Sequence, residues 1–361
     1  MKRALIGAIV VVAALAVIAA GTLWYSRPLQ DALITRIVHA RLADDNTGLL
    51  KDGALHIVLC GTGSPLPDPD RASACTAVIA AGHVVLIDSG PGSALRLAEA
   101  HIPMQDMDAV LLTHLHSDHI GDLGNAAQAG WLAGRKVPLD VYGPSGTDDV
   151  VAGYARVFKA DAGFRIAHHG KAYLVPEGDE VVAHIVSIKA PGDDPVVYSR
   201  DGLVIRAFLV DHRPIVPAFG YRIEFGGRVV VVSGDTRANA NVQHFATNAD
   251  LLIHEALNSH LVKLLASQLD ATGDHRRAKM LRDTIGYHTS PVDAARIANA
   301  AHVRLLVFTH VVPQLPSALT RHMFLDGVSA AAGAVPFFIG RDGTMLTLKP
   351  GSSDIERGRL I

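Results

Sequence analysis

The stretch AVLLTHLHSDHIGDL, residues 109–123, sets three histidines and an aspartate within six positions, directly after an aliphatic run. Side chains two apart on an extended segment point the same way, so His114 and His116 face one site together. Asp118 and His119 then come from the turn into a following helix, whose positive N-terminal end would lie beside an anion. Gly121 lets the backbone pass closely. Mixed imidazole and carboxylate donors at this spacing suit zinc, or a pair of zinc ions, and manganese or iron suits several of them too. With nineteen histidines in the chain, any one alone reads as an ordinary surface or core residue. Four donors in one loop do not.

Such donors need strands and turns to aim them. Ala54 to Cys60, Thr76 to Ala80 and Val84 to Asp88 are apolar runs bounded by glycine and proline, which read as strands, and 93–101 reads as a helix. Val110 to Thr113 is a buried strand leading into the motif, with a helix from about Ile120 to Ala133. After a less regular stretch, Val204 to Val210, Gly220 to Phe225, Val229 to Ser233 and Leu251 to His254 are strands. A charged helical insertion spans 258–286, Pro291 to Ala300 is a helix, and Leu305 to Thr309 is a last buried strand. Strands in two groups, each followed by helices, predict a layered α/β domain with helices outside two sheets. The donors fall at strand ends, where binding residues collect.

The chain has 361 residues, a net charge of -2 and two cysteines. At that net charge nothing suggests the broad basic face expected of a nucleic-acid binder, so nucleic acid is a disfavoured partner that stays open. Residues 4–25 carry no charge and are long enough to cross a ~30 Å hydrocarbon layer as a helix. Lys2 and Arg3 before them predict a cytoplasmic N-terminus, with the rest of the chain on the periplasmic side of the inner membrane. Secretion after signal cleavage, with Val17 and Ala19 near the cleavage site, is the rival expectation. The organisation expected is an anchor over 1–27, a linker helix over 28–53, one domain over 54–350 and a tail over 351–361. Cys60 and Cys75 pair in an oxidising compartment or stay buried as free thiols; spacing does not decide.

The run Thr113-His114-Leu115-His116-Ser117-Asp118-His119 resembles the signature of the metallo-β-lactamase-fold hydrolases. Three further donors follow in the family's order: His212 in LVDHRPIVPAFGYRIEF, Asp235 in VVVVSGDTR and His310 in LLVFTHVVP. CGTGSPLPDPDRASA, AFGYRIE, IHEAL and YHTSPVDAARIANAA narrow the resemblance to the ribonuclease Z-like branch, which also holds phosphodiesterases and arylsulfatases. It covers about Leu55 to Leu348 and implies a four-layer αββα sandwich. It also implies that His114, His116 and His212 hold one zinc ion and Asp118, His119 and His310 the other, with Asp235 bridging. Two such ions lower the pKa of a shared water and brace the attacking and departing oxygens. The branch's Glu and His pair falls on Glu255 and His288. His288 is the candidate proton donor to the leaving group, oriented by Glu255, with Asp118 as the third catalytic residue. His254 is expected to point away along its strand, and His168, His169 and His275 to lie on the surface.

The tRNA-processing members of the branch carry a long arm between the Gly-Tyr strand and the Gly-Asp turn. Here Tyr221 and Asp235 are 14 positions apart, and LIDSGPGSAL has Pro91 where the nucleases usually have glutamate. GRKVPLDVYGPSG, residues 134–146, also leans toward the arylsulfatase relatives. The expectation is therefore a dinuclear zinc hydrolase of small anionic phosphate or sulfate esters. Ribonuclease Z-type 3′-tRNA processing is the first alternative and lactone or β-lactam hydrolysis the second, and a homodimer is an assembly to test. A basic cluster, His275, Arg276, Arg277, Lys279 and Arg282, either flanks the site or forms a solvated helix face.

Overall fold

A computed structural model describes residues 2–43 and 45–361. Met1 and Asp44, within the expected anchor and linker, lie outside the described residues. The chain divides into two units, Met1–Asp45 and Asn46–Ile361.

The first unit consists of α1 (Lys2–Tyr25) and α2 (Arg27–Ala43). Pro28 stands in the first turn of α2, where its missing N–H costs no helical bond. Gln30 donates to the carbonyl of Trp24 at 2.6 Å, across the break between the helices. Among the described residues no single helix is long and apolar enough to cross a membrane. Ile9–Tyr25 and Arg27–His39 pass together by length and composition but are bent by 85°. The single spanning helix expected over residues 4–25 is therefore unsupported as such.

The second unit begins with β1 (Leu55–Gly61), β2 (Cys75–Ala80) and β3 (His83–Ile87), an antiparallel meander. Through α3 (Ser93–Glu99) the chain enters β4 (Met107–Leu111), parallel to β3. The one-turn α4 (Ser117–Ile120) and α5 (Leu123–Leu132) lead to β5 (Leu139–Gly143), and α6 (Thr147–His169) leads to β6 (Val181–Ile185), both parallel additions. A second antiparallel series follows, β7 (Val196–Arg200), β8 (Leu203–His212), β9 (Ile215–Phe225) and β10 (Arg228–Val232). After α7 (Ala240–Phe245) comes β11 (Leu251–Leu257). Then α8 (Ser259–Ala271), α9 (His275–Thr284) and α10 (Pro291–Ala300) precede β12 (Leu305–Val312), and α11 (Ala318–Phe324) and α12 (Val328–Ala332) precede β13 (Phe337–Ile339). These three strands are parallel additions to β10. Finally β14 (Thr344–Leu348) and β15 (Glu356–Arg359) return to the first sheet. The sheet orders are β15-β14-β1-β2-β3-β4-β5-β6 and β13-β12-β11-β10-β9-β8-β7.

Period-two alternation explains the layers. Leu55, Ile57 and Leu59 of β1 point into the space between the sheets, against Ile205, Phe219, Ile223, Val230 and Ile253. Val58 and Cys60 of the same strand face outward, with Val84, Leu86 and Val110, against Leu97 and Leu123 of helices. On the second sheet Val231, Leu252 and Leu306 meet Ala294, Ala298 and Phe324. Helices thus cover the outer face of each sheet, and the fold is a mixed α/β two-sheet sandwich.

The stretch read as less regular, 134–203, holds β5, α6, β6 and β7. In α6 only Thr147, Val151 and Ala162 are buried, so no apolar stripe marked it as a helix. Residues 351–361, expected as a tail, include β15, which pairs with β14. Residues 47–50, inside the expected linker, form a 3-10 turn that buries Leu50. Cys60 and Cys75 form a disulfide, so the pairing left open in the sequence is resolved.

Candidate metal centre

The donors gather between the two sheets, at the ends of their central strands. Behind the histidine loop, Asp88 closes β3 at a φ of 60°, the left-handed region that aspartate tolerates better than most residues. Its carboxylate accepts from the backbone N–H and the hydroxyl of Thr113, each at 2.8 Å, and from Nδ1 of His119 at 2.8 Å. From the other sheet the Tyr221 hydroxyl donates to the carbonyl of Leu112 at 2.7 Å, and the N–H of Phe219 to that of Thr113 at 2.9 Å. The loop is therefore pinned from both sides before it presents a donor. Asp118 and His119 lie within the one-turn α4 itself, not ahead of a long helix as the sequence suggested.

Two other turns are equally constrained. Gly234 has a φ of 60°, and a Cβ there would lie 2.3 Å from the carbonyl oxygen of Phe219, so only glycine lets the chain turn and present Asp235. Between Glu255/Thr309 and Ala256/Val311 the β11–β12 register shifts, leaving His310 as the extra residue of a bulge, with a φ of 44°. Bulges re-aim side chains, and this one directs His310 toward the donors from the first sheet.

Nε2 of His310 lies 3.2 Å from Oδ2 of Asp118 and 3.4 Å from Oδ2 of Asp235. The same Asp235 oxygen lies 3.4 Å from Nε2 of His119 and 3.9 Å from Nε2 of His212. Nε2 of His114 and Nδ1 of His116 converge to 2.9 Å. Among the described residues five groups of three donors each fall within 4.8 Å of one another: His114, His116 and His212; Asp118, His119 and His310; His114, His119 and Asp235, which joins those two; and two that take in His288, one with His212 and Asp235 and one with Glu255 and His310.

The chemistry of this set fits a cation. Nε2 of His119 and of His212 are buried without a hydrogen-bond partner, which is costly unless something else occupies the lone pair. His212 Nδ1 lies 3.1 Å from the carbonyl of Tyr287, so that nitrogen carries the proton and Nε2 is left open toward the site. Burial holds the imidazoles of His114, His116 and His212 below the usual histidine range, favouring the neutral form that can offer a lone pair. Burial would also lower His119, but Asp235 and Asp88 hold it well above that range. Asp235 is kept well below the carboxylate range, against its burial, by His310 and His119. The carboxylates demand positive charge among them, and a metal ion supplies it as a proton does.

Beside this cluster, Oε1 of Glu255 lies 3.0 Å from Nδ1 of His288 and accepts the backbone N–H groups of Thr236 and Thr289. Burial alone would lower the His288 imidazole, but Glu255 raises it to about 9. His254 is buried facing away, its Nδ1 2.7 Å from the carbonyl of Glu255. His168 and His169 are exposed at the end of α6, and His275 pairs with Asp270. The helical hairpin of α8 and α9 cancels most of its own charge through Arg277–Asp274, Lys279–Asp283 and Arg282–Asp270. The sequence reading missed Asp88; its only signal was a lone carboxylate ending a fully apolar strand.

Residues 68–278 match the Metallo-beta-lactamase superfamily, and the chain belongs to that superfamily as a metal-dependent hydrolase acting on ester bonds. The chain is 38% identical over 264 residues to Ribonuclease Z of Mycolicibacterium paratuberculosis (strain ATCC BAA-968 / K-10), covering 72% of this chain and 87% of the relative. It shares its fold with the short form of human tRNase Z, at a TM-score of 0.56 and 21% identity, over 81% of this chain and 99% of that one. The metallo-beta-lactamase fold protein YhfI from Bacillus subtilis is similar at a TM-score of 0.55 and 20% identity, over 81% and 99% of the two chains.

Proposed function

We propose that the protein is a dinuclear phosphodiesterase of the ribonuclease Z type that cleaves an RNA phosphodiester. The observation that carries the hydrolytic chemistry is the pair of three-donor groups joined through Asp235 and His119. His114, His116 and His212 would hold one zinc ion and Asp118, His119 and His310 the other. When bound, the two ions lower the pKa of water and stabilise charge on the phosphoryl oxygens. The proton for the leaving oxygen belongs to the chain: Glu255 fixes Nδ1 of His288, which leaves Nε2 to donate. The RNA substrate rests on the relatives named Ribonuclease Z, and these favour it over the small-ester substrate expected from the sequence.

A second reading keeps small aryl phosphate or sulfate esters, on one specific observation. β9 and β10 are joined by only two residues, Gly226 and Gly227, so the arm of the tRNA-processing members is missing at that position. Parallel assays decide between the readings. Cleavage of single-stranded RNA or precursor tRNA at physiological salt, blocked by His288→Ala, is expected. Turnover of bis-nitrophenyl phosphate or nitrophenyl sulfate with no cleavage of any RNA overturns the RNA reading.

We also propose that residues 2–43 hold the domain at a membrane, with the catalytic unit on the extracytoplasmic side. Ile9 to Ile18 present exposed apolar side chains, and the Cys60–Cys75 disulfide suits an oxidising compartment. Secretion after cleavage of the segment is the alternative outcome. A domain in that location meets RNA other than tRNA precursors.

A further inference from the structure

A cleft on the second unit, apart from the metal centre, encloses about 770 Å³. Arg71, Arg96, Arg321, Arg341 and Arg359 all line it. On one side it runs into a cavity of about 500 Å³ that shares Arg71, Arg321, Arg341 and Arg359 and adds Arg357. On the other side it shares Pro67, Asp68, Pro69 and Arg71 with a cavity of about 590 Å³ whose lining reaches Ser117 and Asp118. Shared lining residues thus join a trough from the donor Asp118 to an arginine cluster drawn from the β1–β2 loop, α3, α11, the β13–β14 loop and β15.

Most of these guanidinium charges are unspent. Arg96 pairs with Glu99 and Asp342. Asp342 also accepts from the N–H and hydroxyl of Thr62 and the N–H of Ala72, so it is occupied. Among the described residues, Arg71, Arg321, Arg341, Arg357 and Arg359 form no ion pair. Arg71 donates to Thr62 and to the carbonyl of Gly340, which fixes it at the junction of the cavities. Arg357 lies 3.7 Å over the ring of Phe338. Arg341 and Arg359 are exposed, with no side-chain partner among the described residues. Five arginine side chains face three acidic ones, Asp68, Asp70 and Asp342, in the lining of this cleft, so its side chains carry positive charge in excess. That excess is local, in a chain of net charge -2, and the basic residues of α9 are largely neutralised.

We infer that the arginine trough binds the phosphate backbone of a single-stranded RNA segment whose scissile phosphodiester lies at the metal centre. The inference rests on the reading of the protein as an RNA phosphodiesterase and gives it the contact surface that the missing arm would otherwise supply. Arginine forks match phosphate oxygens two at a time, and a row of them fits successive phosphates better than one small ester. Backbone contacts of this kind make affinity fall with salt, with a slope of about 0.7 per phosphate neutralised on a single strand.

The test is equilibrium binding of a fluorescein-labelled 12-nucleotide single-stranded RNA to the full-length protein, by anisotropy across a salt series. Arg341→Ala with Arg359→Ala is expected to weaken binding about tenfold or more and to lower the salt slope by about 1.4, the loss of two phosphate contacts. Arg276→Ala with Arg277→Ala, the same change of charge on α9, is expected to leave binding unchanged. Equal affinity in the Arg341/Arg359 variant, at an unaltered unfolding temperature, overturns the trough. So does an equal loss in the α9 pair, which would reduce the effect to net charge. Binding of inorganic tripolyphosphate in place of RNA overturns the assignment to a nucleic-acid backbone. Arginine-dependent RNA binding without any RNA cleavage supports the trough while removing the nuclease reading, so the two fail separately.

Discussion

Oε1 of Glu255 lies 3.0 Å from Nδ1 of His288 and also accepts the backbone N–H groups of Thr236 and Thr289. One carboxylate oxygen thus fixes the neighbour of Asp235 and the proposed proton donor together. His288→Ala is expected to retain its metal while losing about 10²- to 10⁴-fold in rate, the usual contribution of a positioned acid. The loss should be larger for poor leaving groups than for nitrophenolate. Equal losses on both would remove the acid role.

Asp235 stands where both donor groups meet, within 3.4 Å of His119 and of His310. Asp235→Ala is expected to lower bound metal below two equivalents per chain and to abolish turnover. Elemental analysis beside a kinetic assay checks this. Two equivalents retained with activity intact would take Asp235 out of the site.

The Cys60–Cys75 bridge closes a sequence separation of 15 residues. Chain-entropy arguments put its contribution at about 3 kcal/mol. Cys75→Ser is expected to lower the urea midpoint by a corresponding amount, and reductant should lower the midpoint of the wild type but not of the variant. A midpoint of the wild type that ignores reductant would show that the bridge adds no stability.

Residues 1–45 form a unit separate from the fold. Protein beginning at Asn46 is expected to be soluble and active, and a reporter at the far C-terminus of the full chain should register the extracytoplasmic side. A cytoplasmic reporter signal would reverse the proposed orientation and return tRNA precursors to reach.

Much of the fold and of the donor set was legible because both are written in local pattern. His114, His116, Asp118 and His119 share one loop, and the strands that carry His212 and His310 or lead to Asp235 are largely apolar. The misses are places where tertiary context decides. α6 buries too few side chains to show a stripe, and β15, with Glu356, Arg357 and Arg359 exposed, reads as a polar tail until β14 offers it an edge. Asp88 looks like the end of a strand, and its three hydrogen bonds to Thr113 and His119 need residues 25 to 31 positions away. The arginine cluster was invisible for the same reason: its members are spread from Arg71 to Arg359.

Asp118 and His310 are hydrogen-bonded across 192 positions of sequence. On a chain made from its N-terminus, the histidine loop is finished long before its last partner exists. A chain that ends before β12 would lack His310, the donor that completes the group formed with Asp118 and His119.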